Sequence, residues 1–142
     1  MKAGRVFVDS DVVISSLLST KGAAYLLLNK QSYKSIISNV SKVELKRVAD
    51  RLGIDKGRLQ NLIQNKLKVI KLGADLEKIK SDFQNYSNDP DDTHIVAGAK
   101  KAKARFLLTY NLKHYRRQKI KDDFDIVVLT PAQYLQYLRS LT

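Results

Sequence analysis

Residues 6–15 read Val6-Phe7-Val8-Asp9-Ser10-Asp11-Val12-Val13-Ile14-Ser15. A short β-branched and aromatic run ends abruptly in an acid, and a second apolar run begins right after Asp11. Arg5 to Val8 therefore predicts a buried strand, and Val12 to Leu18 a helix. The same alternation continues outward. Ala23 to Leu28 predicts a helix after the Thr20-Lys21-Gly22 break. Tyr33 to Ile37 is a second strand candidate. Leu45, Val48, Ala49 and Leu52 keep helical spacing over Val40 to Leu52, with Gly53 as the stop. Asp55 to Gln64 and Leu76 to Tyr86 predict two more helices, and Leu67 to Leu72 a third strand or an extended link. Asn88-Asp89-Pro90-Asp91-Asp92 is the strongest turn signal, opening a helix through His94 to about Lys103. Phe106 to Thr109 and Ile126 to Leu129 read as strands, and Thr130-Pro131 opens a last helix to Leu141. Strands separated by helices predict a three-layer α/β/α sandwich around a mainly parallel sheet, one domain spanning residues 1–142.

Composition narrows the function. The chain carries 26 Lys and Arg against 14 Asp and Glu, a formal net charge of +12. A field of that size attracts polyanions, so nucleic acid or an acidic protein is the first partner to consider. With 44% apolar residues the chain can build a core, and with no cysteine it has neither disulfides nor thiolate chemistry. No apolar run reaches the roughly 18 residues needed to span a membrane. A soluble cytoplasmic protein without membrane association is the expectation.

In open parallel sheets ligands bind beyond the carboxyl ends of the strands, so the polar residues there carry the interest. Asp9 and Asp11 follow the first strand, Glu44 lies early in the helix after the second, Asp91 and Asp92 start a later helix, and Asn111 follows the strand ending at Thr109. Carboxylate oxygens suit Mg²⁺ and Mn²⁺. Such a cation activates water, neutralises phosphate and stabilises a leaving oxygen. It would also resolve the conflict of an acidic cleft on a basic protein. Each residue has a structural reading as well. Asp9 or Asp11 could cap the helix near Val12, Ser41 to Glu44 has capping-box spacing, Asp91 or Asp92 could be an N-cap, and Asn111 a turn residue. His94, near the acids, is by default a packed or hydrogen-bonded histidine.

Order and context favour the first reading. The segment from Val6 to Ser15 resembles the opening strand of the PIN-domain family, which contains the VapC-type toxins. Asp9 takes the place of the first catalytic carboxylate, and Asp11 stands where many members have Asn. Ser38-Asn39-Val40-Ser41-Lys42-Val43-Glu44-Leu45 is similar to the segment that delivers the family's Glu. Asp89-Pro90-Asp91-Asp92-Thr93-His94-Ile95-Val96-Ala97-Gly98-Ala99 resembles the third motif, with Asp92 at the metal-binding position. Ala104-Arg105-Phe106-Leu107-Leu108-Thr109-Tyr110-Asn111 resembles the fourth, and Leu129-Thr130-Pro131-Ala132-Gln133-Tyr134-Leu135 the usual C-terminal ending. The resemblance implies a metal-dependent endoribonuclease. Asp9, Glu44 and Asp92 would hold Mg²⁺ or Mn²⁺, and Asn111 would act beside them as a neutral ligand or water positioner. The commoner family residue at position 111 is Asp, so one negative charge is missing here, and Asp91 or Asp11 is the candidate to supply it.

Lys113, Arg116 and Arg117, with Lys119 and Lys121, crowd the chain just after Asn111, interleaved with His114 and Tyr115. Here they would grip RNA phosphates, while Tyr110 and Tyr115 could stack on unpaired bases. The resemblance to VapC-type toxins further implies a cognate antitoxin over the cleft and a homodimer. A solitary PIN-type protein of RNA processing would show the same residues. Two rivals remain open at this stage. One is a PIN-like nucleic-acid-binding module with weak or no catalysis, favoured by Asn111. The other is a flavodoxin-like receiver domain, which also places acids at strand ends but suits a +12 surface poorly.

Overall fold

In the computed structural model, residues 4–30, 34–73 and 75–141 are described. Five strands, β1 (Val6–Val8), β2 (Ser35–Ser38), β3 (Leu67–Ile70), β4 (Phe106–Leu108) and β5 (Val127–Leu129), form one sheet in the order β3-β2-β1-β4-β5. Every pairing is parallel, with Phe7 opposite Ile36 and Leu107. The expected start of β2, Tyr33, lies outside the described residues. The alternative between strand and link at residue 67 resolves as an edge strand.

Two-fold alternation divides the core. Val6, Val8, Ile37, Phe106 and Leu108 face one side, where they pack with α1 (Ser10–Leu18), α2 (Ala23–Lys30), α3 (Asn39–Arg51), α4 (Lys56–Lys66) and α8 (Pro131–Ser140). Phe7, Ile36, Leu107 and Val128 face the other side, against α6 (Thr93–Lys101) and α7 (Arg117–Phe124). A strand covered on both faces has no polar side, which is why β1 reads as an unbroken apolar run.

Local chemistry sets the helix starts. Ser38 Oγ accepts from Ser41 N at 3.1 Å, so α3 is capped by Ser38 and the capping-box reading of Ser41 and Glu44 does not hold. Thr130 and Gln133 do form a reciprocal capping box on α8, with Pro131 in its first turn. In α6, a Cβ on Gly98 would stand 2.5 Å from Phe7 Cζ, so glycine lets this helix lie directly on β1.

Two segments depart from expectation. α5 (Leu76–Asp82) stops short of Tyr86, because Phe83 and Tyr86 turn inward to pack with Phe124 at ring-centroid distances of 6.0 and 4.6 Å. The basic run after Asn111 contains a helix, α7, that the sequence expectations lack. Its spacing is masked by charge, but Ile120 is fully buried, and Gln118–Asp122 and Lys119–Asp123 bridge successive turns at 2.8 and 3.1 Å.

Candidate active site

The order in which strands are added reverses between β1 and β4, and the crevice beyond their carboxyl ends is where ligands of such sheets sit. Asp9 stands at this point. Its backbone N–H continues the ladder to Leu108 O at 2.9 Å, and its side chain caps α1 by accepting from Ser10 N at 2.7 Å. The carboxylate does more than cap. Its other oxygen, Oδ2, accepts from Thr109 Oγ1 at 3.0 Å and from the Tyr115 hydroxyl at 2.6 Å. Asp9 is only 8% exposed. Burial pushes its carboxyl above the ordinary range, against the opposing pull of the Tyr115 and Thr109 hydrogen bonds.

Asp11, two residues on, faces the loop after β4. Its Oδ2 accepts from Tyr110 N at 3.1 Å and from Asn111 Nδ2 at 2.9 Å, and shares the Thr109 hydroxyl at 3.3 Å. Burial, then the charge on Asp9, raises its carboxyl to about 7. Asp92 starts α6, in the crossover from β3 to β4, and makes no capping bond; Asp89 serves the turn before it, accepting from Asp91 N at 2.9 Å. Burial, then the charge on Asp9, raises Asp92 to about 6, and His114 Nδ1 lies 2.9 Å from its Oδ2. Glu44, on the second turn of α3, has Oε2 3.4 Å from His94 Nε2. Burial would raise Glu44, but the His94 hydrogen bond leads the contributions that hold it below its ordinary value.

Three of these acids share one crevice, and Asp92 stands close enough to feel the charge on Asp9. Asp9, Asp11 and Glu44 line a cavity of about 420 Å³ whose wall includes Ile14 and Leu18. Glu44 also borders a neighbouring cavity of about 470 Å³ with His94 and Asp91. A larger cavity of about 850 Å³ between α3 and α4 is lined by Lys42, Lys46, Arg47 and Lys56 with Asp50 as its one acid, and would repel a cation. Among the described residues, no Lys or Arg lies within 4.0 Å of a carboxylate oxygen of Asp9, Asp11, Glu44 or Asp92; their charged-type neighbours are the two histidines. Four acids without a Lys or Arg partner on a +12 protein offer oxygen donors of the kind a hard cation takes. A further sign is Asp11 Oδ1, which is buried with no hydrogen-bond partner among the described residues. By donor chemistry these residues suit a hard divalent cation.

Two features were not legible beforehand. Asp89, Asp92 and His114 each bring a ligand atom within 4.8 Å of the others, whereas Asp9 and Glu44 stand outside that cluster. Tyr115 is 4% exposed, with its hydroxyl on Asp9, so it cannot stack on a base; Tyr110, 43% exposed, remains available. Burial and the charge on Asp9 raise the Tyr115 phenol, which keeps it a proton donor. The clip that achieves this is an antiparallel bridge between Ser87 and Tyr115, with Asn88 N donating to His114 O at 2.8 Å and Asn88 Nδ2 to Lys113 O at 2.8 Å. It ties the acidic turn to the basic run. Lys113 and Arg117 are exposed and unpaired among the described residues, and Arg116 Nε reaches Asn88 Oδ1 at 3.3 Å. Asp91 points away, with its side chain 83% exposed and 3.8 Å from Lys80 Nζ.

A family model described as PIN domain matches residues 5–113. The chain belongs to the PIN domain family. Two solved structures share the PIN-like sandwich. A toxin–antitoxin complex from Klebsiella pneumoniae is 18% identical, with a TM-score of 0.64, covering 89% of this chain and 97% of its own. VapBC2 from Rickettsia felis, bound to a DNA fragment from its promoter, is 15% identical with a TM-score of 0.58, covering 87% and 96%. No curated protein matches the chain. In this PIN domain, no single helix among the described residues is long and apolar enough to cross a membrane.

Proposed function

We propose that this PIN domain is a Mg²⁺- or Mn²⁺-dependent endoribonuclease, with Asp9, Glu44 and Asp92 as metal-holding catalytic residues and Asn111 assisting as a neutral group. The observation that carries the reading is the crevice of acids that no Lys or Arg neutralises. A divalent cation bound there would supply a water of lowered pKa and offset the charge of the scissile phosphate. The chain's own groups do the positioning. Ser10 N, Thr109 and Tyr115 fix both oxygens of Asp9, His94 aims Glu44, and His114 aims Asp92. Such outer contacts set ligand orientation and tune affinity. Lys113, Arg116 and Arg117, beside the crevice, would hold the RNA backbone without reading bases.

The reading extends to a toxin working with a cognate antitoxin, supported by the fold shared with toxin–antitoxin complexes. Leu18 and Val43, 63% and 60% exposed, border the two cavities that meet at Glu44, and a protein partner lying over the crevice would cover them. A homodimer belongs to the same proposal. Cleavage of labelled single-stranded RNA with Mn²⁺, abolished by EDTA and restored by excess Mn²⁺, is the expected result. Asn111 gives a second reading some footing, a PIN-like module that binds nucleic acid without cutting. RNA binding that is tight, insensitive to metal and never followed by cleavage would favour that reading.

A further inference from the structure

We propose that Asp11 supplies to the bound divalent cation the negative charge that position 111 lacks, with Asn111 as the positioning residue that aims it. The proposal rests on the metal-dependent reading of the crevice and goes on to assign its fourth carboxylate. The Asn111 amide is committed to Asp11, with Nδ2 donating to Oδ2 at 2.9 Å. Tyr110 N donates to the same oxygen at 3.1 Å. Two firm donors, with the shared Thr109 hydroxyl at 3.3 Å, therefore fix one oxygen and leave the other defined in direction. That other oxygen, Oδ1, is buried and makes no full hydrogen bond among the described residues, although the Val12 N–H also acts on the carboxylate. A buried acceptor without a donor is costly, which favours an arrangement completed by something outside the chain.

A helix-start role for Asp11 does not explain this geometry. Asp9 already caps α1, and Asp11's contacts go across to the loop after β4, about a hundred residues away in sequence. Nor does Asp91 supply the charge, since it faces Lys80 and solvent. A carboxylate at position 111 would meet the Asp11 carboxylate over the same short gap, and like charges so placed repel. One acid and one amide satisfy this pair of positions without that repulsion, and here the acid is at position 11.

The test is Mn²⁺ binding by calorimetry on the full chain, independent of RNA cleavage. Asp11→Asn is isosteric and should weaken Mn²⁺ binding on the order of 10- to 100-fold. The exchanged pair, Asp11→Asn with Asn111→Asp, should recover most of that loss, because charge and hydrogen bond return to the same place. Melting of each variant in EDTA checks that the fold is kept. An Asp11→Asn variant that binds Mn²⁺ like the parent would overturn the proposal, and so would an exchanged pair as weak as the single variant. Asp9→Asn separates this from the underlying reading. If Asp9→Asn also binds like the parent, the crevice is not the metal site; if it alone loses binding, only the role of Asp11 fails.

Discussion

Asp9 ends a strand, starts a helix and stays nearly buried, and Tyr115 is the group that makes this tolerable. Its hydroxyl meets Asp9 Oδ2 at 2.6 Å from a segment 106 residues away. Tyr115→Phe removes that donor and leaves the ring, so its effect isolates the bond. Hydrogen bonds to charged groups contribute about 1.5–3 kcal/mol, and loss of that order should appear in urea melts of the metal-free protein at pH 8. Unchanged stability would mean that Asp9 is held by Ser10 and Thr109 alone. Asp11 offers a pH test. Its carboxyl sits at about 7 in the fold against an ordinary 3.8, so between those values the folded chain holds its proton more tightly than the unfolded chain. Its ionisation therefore takes stability away as pH rises through that window. In EDTA, Asp11→Asn should gain on the parent from about pH 4 to about pH 7. A stability gap that stays flat across that range would contradict the burial assigned to Asp11.

At the level of elements, α6 and the clip at Ser87 decide where the acids stand. α6 rests on β1 through Gly98, and a methyl there must displace the fully buried Phe7 ring. Overpacking of this kind costs about 1–3 kcal/mol, against about 1 kcal/mol returned by alanine's better helix propensity. Gly98→Ala should therefore lower stability by up to about 2 kcal/mol in denaturant melts; a stabilised variant would show that the helix can lift. Much of this architecture was legible in the sequence. The apolar runs of β1, β4 and β5, and the Thr130-Pro131 start of α8, carry their signals locally. So do Asp9, Glu44 and Asp92, each standing next to a strand end or helix start. What lay beyond reach was long-range. Nothing near Tyr115 shows that its ring turns inward, because the bridge to Ser87 joins segments 28 residues apart. α7 was hidden because Lys119 and Lys121 read as a basic patch, although both pair with acids one turn ahead.

Across the whole molecule, a +12 net charge accompanies an acidic crevice, and on the proposed reading the charge attracts a polyanion while a cation in the crevice receives it. The attraction should follow counterion release. In the Asp9→Asn background, which keeps RNA intact for measurement, log Kobs should fall linearly with log salt. Replacing Lys113, Arg116 and Arg117 with alanine should make that slope shallower by about 2, from roughly 0.7 per single-strand phosphate contact. A slope that does not change would move the RNA path to another basic face, such as the groove lined by Lys42 and Lys46. The central claim is that Asp9 and a divalent cation together cut RNA. Its most direct test is cleavage of single-stranded RNA by the parent and by Asp9→Asn, each with Mn²⁺ and then with EDTA. The account predicts cleavage by the parent with Mn²⁺ alone; equal cleavage by Asp9→Asn, or cleavage that survives EDTA, would contradict it.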